Sequence, residues 1–317
     1  MMTTLKKTGT VAALLAIALT TTQCSNNQTK LQLRLEEGKS YNFRFSSDQK
    51  ISQTLMGQQQ SVNQFVAMGY SFKVLDVDKD GVMTVQVTYD SVQFKQSGAT
   101  GTIEYDSTKD AKSTNPLTLG FSALVGKSFS MKIRPDGGVQ DIQGADALIN
   151  DMIKALKIPE GPLKDALMGN MKDQFGDQAL KEMMERSLNI YPTQPVKVGD
   201  SWQKKVTMTK GFPIIMDTTW TLKELKNGVA TVEVVSKLAP NSAAPPIRLE
   251  PMEMSYNLTG SQQGTLQLNQ QTGFVNQAKL NQNISGQMEM KGIPGTTKSV
   301  TVPMQIESLI TLEEARK

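Results

Sequence analysis

Alternation of apolar and polar residues dominates two stretches of the 317-residue chain, and a helical period separates them. In the first stretch, Leu31 to Gly144, Tyr41, Phe43 and Phe45 alternate with polar residues. Phe72 and Val74 do the same, followed by Met83, Val85, Val87 and Tyr89. A repeat of two is what a strand with one buried face produces. Asp80-Gly81 lies between two such runs and predicts a hairpin turn. Pro135-Asp136-Gly137-Gly138 turns a further pair, Phe129-Met131-Ile133 and Val139-Ile142. Gly98 to Pro116 has no usable period and reads as a polar loop. From Ala145 to Leu188 the spacing becomes helical: Leu148/Ile149, Met152/Ile153 and Leu156, then Leu163, Leu167, Met171 and Phe175, then Leu180, Met183/Met184 and Leu188. Pro159-Glu160-Gly161-Pro162 interrupts this zone, and Pro192 and Pro195 end it. The last stretch is extended again, with Val300, Val302, Met304, Ile306, Ile310 and Leu312 on one parity. The prolines of Ala239 to Pro251 exclude that segment from a central strand.

The two strand-rich stretches read as copies. Gly38-Lys39-Ser40-Tyr41 parallels Gly199-Asp200-Ser201-Trp202. Phe72-x-Val74 through Asp80-Gly81-Val82 to Val87 parallels Trp220-x-Leu222 through Asn227-Gly228-Val229 to Val234, with one residue deleted before the second turn. Met131-x-Ile133 with Gly138-Val139 parallels Leu266-x-Leu268 with Gly273-Phe274. The expected fold is therefore α+β and mainly antiparallel: two related β units, 31–144 and 191–317, with a helical segment over 145–190 between them.

The first residues have the three parts of a secretory leader. Lys6 and Lys7 form a basic region, and Val11 to Leu19 an apolar one that is too short to span a bilayer. The only cysteine, Cys24, follows directly and precedes a polar run to Lys30. A chain that avoids cysteine elsewhere and places one at the leader boundary resembles a bacterial lipoprotein. The leader would be residues 1–23, and Cys24 would be the acylated first residue of a tether over 24–30. The usual motif has Leu and a small residue where this chain has Thr21 and Gln23. Ser25, in place of an Asp after the cysteine, favours the outer membrane.

Gly38-x-Ser40-Tyr41, the Asp80-Gly81 hairpin and Ala123-Leu124-Val125-Gly126-Lys127-Ser128-Phe129, followed by Gly137-Gly138-Val139, resemble an uncharacterised family of bacterial exported proteins and lipoproteins. That resemblance implies an envelope location and a duplicated β-rich fold. It implies no catalytic residues.

Composition narrows the chemistry. There are no histidines, so Ser-His-Asp triads, Cys-His pairs and His-ligated zinc are excluded. The net charge of +4 falls to about +2 once Lys6 and Lys7 leave, far from a nucleic-acid footprint. Asp76-Val77-Asp78-Lys79-Asp80-Gly81 starts like a calcium loop, but Val87 stands where a bidentate Glu belongs, so it reads as a hairpin turn. Met252-x-Met254 and Met288-x-Met290 resemble the thioethers of copper carriers, yet a strand with one core face gives the same pattern. Neither a metal nor a cofactor is expected. Carboxylates are the only acid–base groups left, Glu182 with Glu185 and Glu313 with Glu314, at positions where exposed charge is expected. Thirteen Asn and Gln between Asn257 and Gln287 predict an amide-rich sheet face, and Trp202 and Trp220 are sugar-stacking candidates that core packing explains better. The expected function is non-enzymatic: a binding or assembly module of the envelope for a hydrophobic ligand or partner protein. Its expected surface is the helical zone around Met152, Leu156, Leu167, Met171, Phe175 and Met183, because flexible thioethers suit ligands of variable shape. The alternative is a glycan-directed enzyme or binding protein.

Overall fold

The computed structural model describes residues 28–315, apart from 56, 100, 111–115, 210–212, 250, 294 and 296–297. The leader and Cys24 lie outside the described residues. Strands β1 (Ser40–Leu55), β2 (Gln58–Val77), β3 (Met83–Gly98) and β4 (Gly101–Asp106) come first. Helix α1 (Pro116–Leu124), β5 (Ser128–Ile133) and β6 (Val139–Gln143) follow. Three helices come next, α2 (Ala145–Ala155), α3 (Pro162–Phe175) and α4 (Asp177–Leu188). The chain then returns to strands: β7 (Ser201–Thr207), β8 (Ile214–Lys226), β9 (Val229–Pro240), β10 (Ile247–Leu249), β11 (Met252–Asn269), β12 (Val275–Lys291) and β13 (Val300–Glu314). All join one antiparallel sheet in the order β6-β5-β3-β2-β1-β13-β12-β11-β9-β8-β7, with β4 on β3 and β10 on β11. Strand β13 welds the two halves, pairing with β1 on one side and β12 on the other.

Alternation assigns the two faces. Tyr41 faces Phe72, Phe72 faces Val87 and Val87 faces Phe129 across successive strands, so one parity of each strand points inward. On the far half, Trp202, Trp220, Val234 and Leu222 with Val232 and Leu266 continue that inner face. The outer parity of β11 and β12 is polar and exposed, with Asn257, Gln263, Gln267, Gln277, Asn281, Asn283 and Gln287 all on it. The amide-rich face expected from the sequence is thus the solvent side of the sheet, as one wet face of an antiparallel sheet requires.

A single buried cluster draws on both halves: Leu31, Leu33 and Leu35 before β1, Val85, Met131 and Ile133 from the first, and Leu222, Val232 and Leu268 from the second. The sheet can share one core only by curling until its ends approach. Helix α4 closes the gap, touching β6 at one margin and β7 at the other. The segments leading into β1 and β7 also cross, with Thr29 and Val196 exchanging backbone hydrogen bonds of 2.7 and 2.9 Å. The segment into β1 meets the β11–β12 turn, and the end of α4 meets the β5–β6 turn. Arg34 N–H donates to the Thr272 carbonyl at 2.7 Å, and the Gly137 backbone lies against the Leu188 carbonyl. The Tyr191 hydroxyl, buried and pushed up in pKa by that burial, donates to the Gly273 carbonyl at 2.9 Å.

The two halves share local geometry at the positions that looked alike in sequence. Gly38 (φ 75°) donates to the Val74 carbonyl at 3.0 Å, and Gly199 (φ 96°) donates to the Leu222 carbonyl at 2.8 Å. Val74 N–H returns to the Lys39 carbonyl at 2.9 Å and Leu222 N–H to that of Asp200 at 3.0 Å. The register shifts after Val74 on β2 and after Leu222 on β8.

Two elements depart from the sequence reading. The stretch from Gly98 to Pro116 contains β4, whose Tyr105 packs inward opposite Phe94, and α1 starts at its end. The short strand Gly-Thr-Ile-Glu-Tyr-Asp carries only two inward side chains, too few to register as a period. The Asp-rich segment is a turn: Asp78 Oδ1 accepts the N–H groups of Asp80 and Val82, both at 2.9 Å, with Gly81 at φ 78°. Replacing Asp78 with alanine should cost about 1–2 kcal/mol. Urea titration would show this as a lower midpoint at unchanged slope.

Candidate functional site

The inner face is not apolar throughout. A row of nine polar residues crosses it strand by strand, each directly opposite the next. In order these are Gln96, Gln64, Gln49, Ser308, Gln282, Gln262, Ser236, Thr218 and Lys204. Several bond along the row. Gln282 Nε2 donates to Gln262 Oε1 at 3.2 Å, Gln64 Nε2 to Gln96 Oε1 at 3.3 Å, and the Thr218 and Ser236 hydroxyls share a 2.9 Å bond. Ser236, Thr218, Ser308 and Gln262 are buried. This belt divides the inner face into the closed core on one side and a second apolar region on the other.

The second region is lined differently. Met208, Ile214, Met216 and Leu238 form a small buried cluster on which Val206 and Ile284 pack. Beyond it Met254 and Met290 stand opposite each other, next to the pair Tyr256 and Met288, and Met304 lies across from Gly286. Met254, Met288, Met290 and Met304 are only half-buried, as are Ile51, Val62 and Ile284. The helices approach the sheet at its margins, α1 on β3, α2 on β5 and α3 on β10. A slot of about 470 Å³ opens where β11 parts from β9, lined by Pro213, Pro240, Asn241, Met254 and Tyr256 among others. Asn241 holds the slot against the small cluster, its side-chain amide donating to the Met208 carbonyl at 2.9 Å.

Among the described residues, three polar groups on the inner side of the sheet lack partners. The Ser308 Oγ, Trp220 Nε1 and Tyr105 hydroxyl are buried with no hydrogen-bond partner. Each lies on the inner parity of its strand, and each such group costs about 1–3 kcal/mol if it stays unmet. Arg186, on α4, reaches the small cluster. Its Nη1 lies 3.9 Å from Met208 Sδ, and no Asp or Glu of the described residues pairs with it. Withdrawal of the guanidinium from water holds its pKa below the usual arginine value. Lys204 is better served, donating to Asn189 Oδ1 at 2.9 Å with Asp136 nearby.

The surface expected on the helices is split. Met152 and Leu156 lie at the end of α2, beside its fully buried stripe of Ile149 and Ile153, and Leu167 and Met171 lie on α3; all four are half-buried. Met183 on α4 packs onto the main core. Phe175 ends α3, and its side chain is outside the described residues. The strand methionines, by contrast, form one wall. Their signal was the M-x-M spacing with Gln282 breaking an otherwise apolar parity on β12. The tryptophans face inward: Trp220 is buried, and Trp202 donates from Nε1 to the Ile190 carbonyl at 2.7 Å. Glu182 is held by Thr209, through its N–H at 2.8 Å and its hydroxyl at 2.7 Å. Glu313 and Glu314 lie on β13 opposite Arg44 and Phe43. The carboxyls of Asp106, Asp136 and Asp151 are lowered in pKa. A hydrogen bond from Thr108 stabilises Asp106. Burial would raise Asp136, but Arg134 and the Gly138 N–H outweigh it.

Residues 80–275 match the pattern of a family of unknown function, DUF6263, over more than half of the chain. The chain belongs to that family. The matched span holds the four helices, Arg186, the small cluster and half of the belt. None of the curated proteins matches it. Among solved structures it is similar to lipovitellin, in a study of lipid–protein interactions, at 11% identity and TM-score 0.46 over 89% of this chain. It spans 25% of the length of that protein. It is also similar to DynF of the dynemicin biosynthesis pathway of Micromonospora chersina, at 5% identity and TM-score 0.22, over 92% of this chain and 88% of that one.

Proposed function

We propose that this protein is an exported lipoprotein of the bacterial envelope, anchored at the outer membrane through Cys24. In this reading it is a binding or assembly module that takes up a hydrophobic ligand and performs no catalysis. The observation that carries the proposal is the methionine-lined, half-buried wall beyond the polar belt. A core that served only to hold the sheet together would bury those side chains fully, because each half-buried one forgoes part of the roughly 1.5–3 kcal/mol that full burial contributes. Thioethers adapt their shape at little cost, which suits a guest that is not covalently part of the fold. The ligand surface therefore moves from the helices to the strands, with α3 near its margin at β10.

The glycan alternative lacks its usual parts. Both tryptophans face the core and leave no stacking platform on the amide-rich outer face. The candidate carboxylates sit apart, one pair on α4 and one on β13. The two β halves are, in this proposal, copies of one ancestral unit. The matched turns at Gly38 and Gly199 and the matched register shifts support that origin.

Native mass spectrometry tests the binding role. The full chain carrying Cys24→Ser, so that no anchor lipid adds mass, would be exported and purified without detergent. A stoichiometric adduct of lipid mass is expected. A clean apo mass, together with no uptake of added lipid, would end the carrier reading.

A further inference from the structure

The belt and the adjoining helix α4 bring under-used hydrogen-bond donors to the inner side of the sheet. Arg186 reaches the inner side with only the Met208 thioether in hydrogen-bond range, the Ser308 hydroxyl of the belt is buried without a partner, and the belt adds the hydroxyls of Thr218 and Ser236. Arg186 is half-buried with a thioether as its hydrogen-bond partner, and a ligand that brings a negative charge would give it a charge-assisted one. Arg186 also sits at a boundary. Its contact, Met208, belongs to the apolar cluster with Met216, and Met216 is two residues along β8 from Thr218 of the belt. The guanidinium therefore abuts the apolar cluster that adjoins the belt, and Ile284 of β12 packs on that same cluster.

We propose that the interior holds a single-chain amphiphile with an anionic oxyacid head, the head on Arg186 and the chain along the wall of β11, β12 and β13. This rests on the hydrophobic-ligand reading and names its chemical class. The wall runs eight residues along β12 from Gln282 to Met290, on the order of 27 Å, and accommodates an extended chain of sixteen carbons. Neutral lipids would fill the wall and leave Arg186 unmet. Two-chain phospholipids would have to place a second chain over the belt, where Gln49, Gln282 and Gln262 would lose water without gaining partners.

The test uses the full chain with Cys24→Ser and the neutral fluorescent probe N-phenyl-1-naphthylamine, displaced by palmitate, hexadecyl phosphate or hexadecanol below their micelle-forming concentrations. The two anions are expected to bind about tenfold or more tighter than the alcohol, the usual scale of a charge-assisted hydrogen-bond pair. Palmitate and hexadecyl phosphate separate a fatty-acid from a phosphate head. Arg186→Met should remove that preference and leave hexadecanol and the probe within about twofold. Arg186→Lys should restore part of it. Equal affinities for anion and alcohol in the unaltered Arg186 chain would overturn the head assignment and leave the binding wall standing; that comparison needs no variant to fold. Probe binding with palmitate unaffected by Arg186→Met would do the same. Failure of the probe and all three amphiphiles to bind would overturn the hydrophobic-ligand reading itself.

Discussion

Replacing Gly137 with alanine is expected to lower the unfolding free energy by about 3–4 kcal/mol. Two costs combine. The residue sits at φ 82°, where a side chain is strained, and a methyl group there would run into the carbonyl of Leu188 at the end of α4. That carbonyl belongs to backbone, so relief requires the β5–β6 turn and α4 to separate. Gly126→Ala is the control. At φ 77° it carries the same strain but has nothing within 4 Å of the new methyl. It should cost about 1–2 kcal/mol. Urea melts of the two variants separate strain from collision by difference. Equal losses would mean that the turn yields, and that the contact between the first half and α4 does not hold the curl of the sheet.

Phe274→Ala should cost about 3–5 kcal/mol. The ring stands just before β12 in the second half, yet it packs on the first half's aromatics, with centroids 5.2 Å from Tyr41, 5.9 Å from Phe43 and 6.1 Å from Phe72. From there the rings continue through Tyr70 and Tyr89 to Phe129, and burial pushes the Tyr89 hydroxyl up to about 12. Phe274 is thus a joint between halves. Both tryptophans lie in the second half, so their fluorescence reports on it, while far-ultraviolet circular dichroism reports on the whole sheet. In the unaltered chain the two urea transitions should coincide. In the variant they should both shift down and begin to part. Loss of stability with the transitions still superimposed would place the coupling of the halves in β13 alone.

Much of the fold is legible because strands and hairpins are local. The parity of Tyr41, Phe43 and Phe45, of Met83 to Tyr89 and of Val300 to Leu312 reads directly as an inner face, and Asp80-Gly81 and Asn227-Gly228 read as turns. The paired methionines also carried their parity, although nothing local says that they stay half-buried. Where signals are short or divided, reading fails: β4 offers two inward residues, and the helical zone gives a stripe for α2 without saying what covers it.

The belt could not be read at all. Its nine members come from nine strands, and most look like a single polar interruption in an apolar alternation, such as Gln282 between Leu280 and Ile284. They become a feature only when register lines them up, and register between strands far apart in sequence is a property of the assembled sheet. The same holds for Arg186. On its helix it is an ordinary basic residue in the last turn, well placed for the helix dipole. Its lack of a carboxylate partner follows from where α4 crosses between β6 and β7. The sequence by itself determined the inner and outer faces of each strand, because side-chain direction alternates with every residue. The tertiary structure alone decided which of those faces close into a core and which leave a charged, methionine-lined interior, because that depends on how far one continuous sheet curls before its edges meet.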